Sequence, residues 1–310
     1  VDPAGQYAAV GSSDPRAPIT LVDLDSYTTR AVEIEAGEVG LMIGSDPLTL
    51  FHRNDTLAQI EAYPFEGLLS GSTTPTGVVA TGAFGHGEGI LHDAGLIAAA
   101  TDDGLDIVAF DGERIEYVHT LPWDTEDRSG GRAFFVRVAP DGEHVISYIA
   151  NRGTEETPWG EWENDVYIAN PATGQVIRTA LGPGLVFRLA QADDVALFFN
   201  QHPDGDNAFV VDTNADSPTF GQVIATIPLD PLSHAVGPDE SPWEGESRVV
   251  AITPDGSIGY VTAGGDSKIV VIDIASGSVS GVIETPTPLS TGGYLLALVP
   301  GQPVVDTIGR

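Results

Sequence analysis

The stretch RVVAITPDGSIGYVTAGGDSKIVVIDIASGSVSGVIET, residues 248–285, holds four alternating apolar runs separated by short polar turns. Alternation with period two marks a half-buried strand, so the stretch reads as strands A, B, C and D of one antiparallel unit. PDG at 254–256 closes A to B, because Pro fixes φ and Gly tolerates positive φ; ASG at 275–277 does the same between C and D.

The same unit recurs along the chain. RVAPDGEHVISYIAN from Arg137 repeats its first half, DVYIANPATGQVIRTAL from Asp165 its second, and VDPAGQYAAVGSS with ITLVDLDSYTTRAVEI matches it at the N-terminus. Weaker copies are GLMIGSDPLTLFHRND, GILHDAGLIAAATDDGLDIVAFDGERIEYV, and VFRLAQADDVALFFN followed by AFVVDTNADS. One residue from each A to B turn gives Pro3, Asp46, Asp93, Pro140, Ala192, Pro254 and Pro300, at spacings of 43, 47, 47, 52, 62 and 46. Such a period, with four strands in each unit, implies radially repeated sheets. The expected fold is all-β: a single β-propeller over residues 1–310, with about seven four-stranded antiparallel blades, and six as the alternative. Val1 enters at an A to B turn without its inner strand, and residues 294–310 supply only an A and a B strand. Propellers commonly close by pairing strands from both termini, so further residues are expected upstream of Val1, among them a removed export signal.

ITPDGSIGYVT followed by IVVIDIASGSV resembles the YVTN-type propeller repeat of archaeal surface-layer proteins and of lactonase-like and dehydrogenase-associated propellers. The resemblance is strong over 248–285 and weak over 40–84. It implies the fold and no single activity.

Forty-five acidic residues against 13 basic ones leave a formal charge of -32, and 12 of the 13 basic residues are Arg, Lys268 being the exception. The summed field of such a surface repels nucleic acid and anionic membranes. Excess carboxylate with almost no Lys is the composition expected of a salt-loving source, where salt screens the self-repulsion; an acidic secreted protein from a GC-rich genome is the alternative. No apolar run approaches the roughly 20 residues of a transmembrane helix. Without cysteine there is no disulfide and no thiolate chemistry. An extracellular, cell-surface or periplasmic location is expected.

Strand direction alternates within a blade, so A to B and C to D turns share one face, and B to C loops and D to A links share the other. The short turns fall on the first face. The long loops are expected on the second: 14–18, 70–86, 122–131, 151–164, 201–207 and 230–247. All four Trp residues, Trp123, Trp159, Trp162 and Trp243, lie in those loops. Trp couples a large apolar area to an N–H donor, which makes these residues candidate binding anchors; the alternative is that they cover the blade ends. Arg16, Arg53, Arg128, Arg132, Arg152, Arg248 and Lys268 fall at or near the same face, and Arg137 and Arg188 read as one register of the inner strands. These two could clamp a ligand's carboxylate, or pair internally with the excess Asp and Glu. Arg30, Arg114 and Arg178 begin outer strands, where charge guards an edge.

In GHGEGILH, residues 85–92, an extended strand holds His86 and His92 roughly 20 Å apart, too far to share an ion. His86 with Glu88 remains a candidate half-site for a divalent metal, Ca or Zn, completed from other blades. NQHPDGDN, residues 200–207, has spaced oxygen ligands but no distant bidentate Glu, and reads as a B to C hairpin turn. Asp23, Asp212, Asp273 and Asn170 precede C to D turns, where a short side chain caps turn N–H groups. No nucleophile elbow, P-loop or dinucleotide fingerprint is present. The sequence therefore points to a non-enzymatic module that recognises another protein or an extracellular ligand through its long-loop face. Two alternatives stand beside it. One is a hydrolase or redox subunit using His86, Glu88, Asp124 and Arg188 around a metal or cofactor; the other is a self-associating component of a surface layer or filament.

Overall fold

The computed structural model describes residues 1–12, 14, 16–35, 39–83, 87–111, 114–133, 135–289 and 295–300. Among them the alternating runs form six antiparallel sheets in chain order. The first has three strands, β1 (Tyr7–Val10), β2 (Pro18–Asp23) and β3 (Thr28–Glu35). The second pairs β4 (Val39–Gly44), β5 (Thr49–Asn54), β6 (Gln59–Pro64) and β7 (Gly77–Ala80), with helix α1 (Phe65–Ser70) between its last two strands. The third comprises β8 (Glu88–Leu91), β9 (Leu96–Ala100), β10 (Leu105–Phe110) and β11 (Ile115–Leu121). In the fourth the inner strand is split into β12 (Arg132–Ala133) and β13 (Arg137–Val138), both on β14 (Val145–Asn151), followed by β15 (Glu163–Asn170) and β16 (Gln175–Pro183). The fifth holds β17 (Leu189–Gln191), β18 (Val195–Asn200), β19 (Asp206–Asp212) and β20 (Val223–Leu229). The sixth holds β21 (Val250–Ile252), β22 (Ile258–Ala263), β23 (Lys268–Asp273) and β24 (Ser278–Glu284).

The first sheet lacks an inner strand, as the entry at an A to B turn led one to expect. The turn expected at Pro300 has no sheet among the described residues: 295–300 carry no strand, and Tyr294 and 301–310 lie outside them.

The second to fifth sheets bury apolar side chains on both faces and the first and sixth on one, and that is what orders the sheets in space. Five core clusters each fill the space between two successive sheets. Ile19, Val32 and Leu50 join the first to the second, and Phe51, Ile60 and Val108 the second to the third. Leu105, Ile149 and Tyr167 join the third to the fourth, Tyr148, Val166 and Phe198 the fourth to the fifth, and Leu197, Val210 and Val261 the fifth to the sixth.

The turns close as their residue types require. Gly142 and Gly256 of the two PDG turns have φ of 71° and 68°, a region that costs a side chain but not Gly. At the C to D turns Asp23 Oδ1 accepts from the N–H groups of Asp25 and Ser26, Asp273 from Ser276 and Asp212 from Asn214, while Asn170 accepts from Ala172 and Thr173. Asp141 and Asp255 do the same inside A to B turns.

Three expectations need correction. Residues 65–76, with α1, connect the third and fourth strands of the second sheet, so 70–76 lie on the short-turn face; only 81–87 link onward to β8. The apolar Phe65 and Leu68 of α1 bury against Tyr63 and Ile19, which explains a helix where a turn would serve. Arg178 does not guard an edge: its side chain is buried and bonded to Asp165, because the sheet beside it leaves a carboxylate to neutralise. Arg30 is exposed but donates to the Leu69 carbonyl, holding the last turn of α1.

The caps set a pH dependence. Asp23 and Asp273 lie below the usual Asp value chiefly through the backbone N–H groups of Ser26 and Ser276, and Asp255 chiefly through the Thr253 hydroxyl. A carboxyl whose folded pKa is depressed stabilises the fold above its unfolded value and loses that contribution as pH falls through the folded one. Stability is therefore expected to hold above about pH 5 and to fall below about pH 4. Asp23→Asn with Asp273→Asn should keep the caps, as Asn170 does natively, and flatten this acid limb in denaturant titrations from pH 5 to 2.5; an unchanged limb would refute the assignment.

Candidate functional site

Three connections at the B to C and D to A end interlock above the fourth, fifth and sixth sheets. Residues 152–162 join β14 to β15 and contain a single 3₁₀ turn, Trp159–Glu161; residues 201–205 join β18 to β19; residues 230–249 link β20 to β21. Trp159 is buried and its Nε1 donates to Gly237 O at 3.1 Å. His202 Nε2 donates to Gly160 O at 3.0 Å, while its Nδ1 accepts from Asp204 N at 3.0 Å, which fixes the tautomer. Gln201 Nε2 donates to Glu246 O and its Oε1 accepts from Arg248 N, both at 3.0 Å. Each loop is thus held by another, and the surface they present is formed before anything binds.

On that surface Trp162 and Trp243 face one another at 6.3 Å between ring centroids. The Arg152 guanidinium lies over both, 5.0 Å from the Trp162 ring and 5.3 Å from the Trp243 ring. Phe187 meets Trp243 edge-on at 5.1 Å, and the Arg188 guanidinium lies 5.2 Å from the Phe187 ring. Phe135 packs between Phe187 and Tyr148, at 5.9 Å from each. Trp243 remains 47% exposed, although Trp is usually covered when it serves only packing. Beneath the cluster Tyr148 is buried, and burial raises its pKa while Arg152 and Arg188 both act on its hydroxyl in the opposite sense. Burial pulls the Arg152 pKa below its ordinary value, and Arg132 pushes the same way. Stacking of a guanidinium on rings holds its plane.

The four Trp residues therefore divide. Trp162 and Trp243 meet in one cluster that also reaches Arg188. Trp123 is buried, donates from Nε1 to Thr101 O at 2.8 Å and packs edge-on against Tyr167 at 5.1 Å. Its loop, 122–131, is pinned by Arg178, whose Nη1 donates to Trp123 O at 2.9 Å and Nη2 to Gly130 O at 3.1 Å, and by Arg128, 2.6 Å from Asp165. Trp123 and Trp159 cover blade ends.

Arg137 and Arg188 are not in one register. Ala139 N bonds His144 O and Ala192 N bonds Val195 O, so Arg137 stands two residues before its turn and Arg188 four. The fifth sheet has a shorter A to B turn, which the sequence alignment did not allow for. Arg137 donates to Val136 O at 3.2 Å. Arg248 is fully buried, with Nε on Asp206 at 2.7 Å and Nη1 on Thr262 O at 3.1 Å. Asp206 also caps His202 N at 3.0 Å, so NQHPDGDN is built as a hairpin turn.

His86 lies outside the described residues. Glu88 stands on β8 with its carboxylate 3.9 Å from Nη1 of the buried Arg53, whose Nε is 3.3 Å from Asp55; the close approach of Glu88 to the second sheet needs a Gly at position 40. Among the described residues no three His, Asp or Glu side chains converge as a metal site would require. Asp124 accepts from Gly130 N at 2.8 Å and shapes its own loop. Sequence reasoning placed Arg152 near this face but missed its position between two Trp rings, and missed Phe187 altogether. The signal was present in the spacing, since Arg152 opens the loop that carries Trp159 and Trp162.

Sheets of this kind, joined in sequence and carrying their long loops at one end, define a β-propeller. No protein-family model and no curated protein matches the sequence. Among solved structures the chain is similar to the Dos1 propeller (TM-score 0.64, 13% identity, 96% of this chain and 73% of that one). It is also similar to the Cps50 (Swd1) β-propeller domain of Myceliophteria thermophila (0.55, 15%, 92% and 85%) and to AztD of Citrobacter koseri (0.53, 12%, 93% and 86%). At such identities the likeness shows the fold alone.

The division among the Trp residues is measurable. Trp123→Ala and Trp159→Ala should each cost about 3–5 kcal/mol in denaturant unfolding, and Trp243→Ala about 1 kcal/mol. Equal losses at all three positions would contradict it.

Proposed function

We propose that this chain is a non-enzymatic recognition module, one β-propeller domain of the YVTN repeat type, exported to the cell surface or beyond by a salt-adapted organism. It engages another protein or an extracellular ligand through its long-loop face. The observation that carries the reading is the half-exposed Trp243 stacked with Trp162 around Arg152 on loops that hold each other. A rigid scaffold presenting an aromatic and Arg cluster is the usual composition of a binding hot spot.

Seven blades remain the count we favour. Five clusters join six sheets, and β24 is exposed along its whole length, which suits a further sheet standing between the sixth and the first. Salt adaptation is supported by the charge of -32. The melting temperature is then expected to rise steadily between 0.1 and 2 M KCl, where screening removes self-repulsion; a flat response would end that part of the reading.

Binding of the purified propeller to intact cells of its source, at molar salt, tests the face. Trp243→Ala and Arg152→Gln should weaken it at least about tenfold, while Tyr27→Ala on the opposite, short-turn face should not. Loss from Tyr27→Ala and none from the other two would move the site elsewhere. A second reading, self-association in a surface layer, draws on the exposed Val279, Val282 and Ile283 of β24, since an apolar edge strand can pair with another chain. In sedimentation velocity Ile283→Lys would then dissolve oligomers that Trp243→Ala leaves intact.

A further inference from the structure

Asp106 stands on β10 as Asp165 stands on β15. Each lies five residues before the side chain that caps the C to D turn, Asp111 in one sheet and Asn170 in the other. Each is buried and faces the preceding sheet, as Val108 and Tyr167 two residues further on do. Asp165 is neutralised by Arg178, whose Nε is 3.0 Å away, and by Arg128. Arg178 is paired with Tyr167; in the third sheet the residue paired with Val108 is Tyr117. An aromatic ring thus holds the register position of the guanidinium. Asp106 accepts from Gly82 N at 2.7 Å and from Thr120 Oγ1 at 2.5 Å, and no basic side chain among the described residues pairs with it. Beside it a cleft of about 420 Å³ opens between β7 and β11, with Val79, Thr81, Asp103 and Tyr117 in its walls. A smaller cavity, about 180 Å³ beside Tyr7, contains Arg30; the Asp106 cleft has no cation of its own among the residues that line it.

We propose that this cleft takes an arginine side chain of a partner protein, its guanidinium on the Asp106 carboxylate and against the Tyr117 ring. The site is separate from the Trp162–Trp243 cluster and goes beyond the reading given for that face. Three features select this occupant. The first is that the cleft offers acceptors. Thr120 spends its hydrogen on Asp106, so Tyr117 Oη, 2.7 Å from Thr120 Oγ1, donates to it and keeps lone pairs of its own. The Thr81 hydroxyl is buried and has no hydrogen-bond partner among the described residues. Oxygens in several directions suit the five donors of a planar guanidinium better than a single ammonium. The second feature is apolar. Tyr117 is 44% exposed and gives a ring face for the cation, while Val79 and Ala80 line the cleft where the methylene stem of an Arg would lie. Val78 and Val118, about half exposed on the two flanking strands, supply contacts for the neighbours of that Arg in a polypeptide, which a free amine would not use. The third is charge. A chain of -32 draws a cationic segment in, and Asp106 is already desolvated by the fold, so pairing it costs little further desolvation on this side.

Calorimetric titration of the whole chain with acetyl-Val-Arg-Val-amide tests the proposal, with the citrulline peptide of the same sequence and putrescine as comparisons. Saturable binding of the Arg peptide is expected below about 10 mM. Citrulline keeps the shape of Arg and loses its charge, and its peptide should bind at least about tenfold more weakly. Asp106→Asn should weaken the Arg peptide at least about tenfold. Glu116→Gln, which removes a neighbouring exposed charge from the other face of β11, should leave binding unchanged. Tyr117→Arg supplies to Asp106 the partner that Arg178 gives Asp165. It should raise the urea midpoint and abolish peptide binding together, a combination that a folding defect does not produce. Cell binding through Trp243 is read separately, so the two sites can fail independently. Absence of saturable binding would overturn the proposal, as would equal binding of the citrulline peptide, or binding that survives Asp106→Asn or Tyr117→Arg. Putrescine binding as tightly as the Arg peptide would overturn the assignment to a protein side chain.

Discussion

Everything in this structure depends on burying the apolar faces of its sheets against one another. A four-stranded sheet with Val, Ile and Phe on both sides cannot be stable alone, because each face leaves several hundred square ångströms of apolar surface in water. The chain covers them by standing sheet against sheet, and the five clusters are the result. Order along the chain becomes order in space, so the D to A links are short in span whatever their length. A 20-residue excursion such as 230–249 costs little closure entropy once its ends are fixed.

The second constraint is charge. With 45 acidic residues the scarce Arg side chains are placed where a carboxylate would otherwise be buried alone. Arg178 takes Asp165, Arg248 takes Asp206, and Arg53 lies between Asp55 and Glu88. Each guanidinium also reaches backbone carbonyls or a second carboxylate, which is how a buried pair recovers its desolvation cost. Arg152 lies over the rings of Trp162 and Trp243 at the loop end of the sheets.

The sheets were legible from residues 248–285 because period-two alternation, PDG and ASG all state the same local geometry, and local rules persist in the fold. The capping of turn N–H groups by Asp23, Asp212, Asp273 and Asn170 was readable for the same reason. The helix at 65–70 was not, since FEGLLS is too short for a helical period to show and its cause is tertiary, the burial of Phe65 and Leu68. The register of Arg188 was misread because a two-residue turn, Asp193 and Asp194, stands where the other copies have four. Of the site, the face was legible and the cluster was not. Which Trp is buried depends on partners such as Thr101 O and Gly237 O, distant in sequence and supplied only by the packing of neighbouring sheets.

The two faces have been put to different uses for a physical reason. On the short-turn face, apart from 65–76 where α1 is held by the burial of Phe65 and Leu68, the connections are closed largely by their own Asp, Asn and Gly, so their hydrogen bonds are spent locally and little can vary without loss of the turn. On the long-loop face the bonds run between loops of different sheets: Trp159 to Gly237, His202 to Gly160, Gln201 to Glu246. Such cross-loop bonds stabilise a surface without prescribing what it displays, because the residues between the fixed points are unconstrained by any strand. Arg152, Phe187 and Trp243 come from the fourth sheet, the link to the fifth and the link to the sixth. A cluster drawn from three separate connections can form only when the sheets beneath it are fixed, which makes the rigid packing of neighbouring sheets the condition for a site at their loop end.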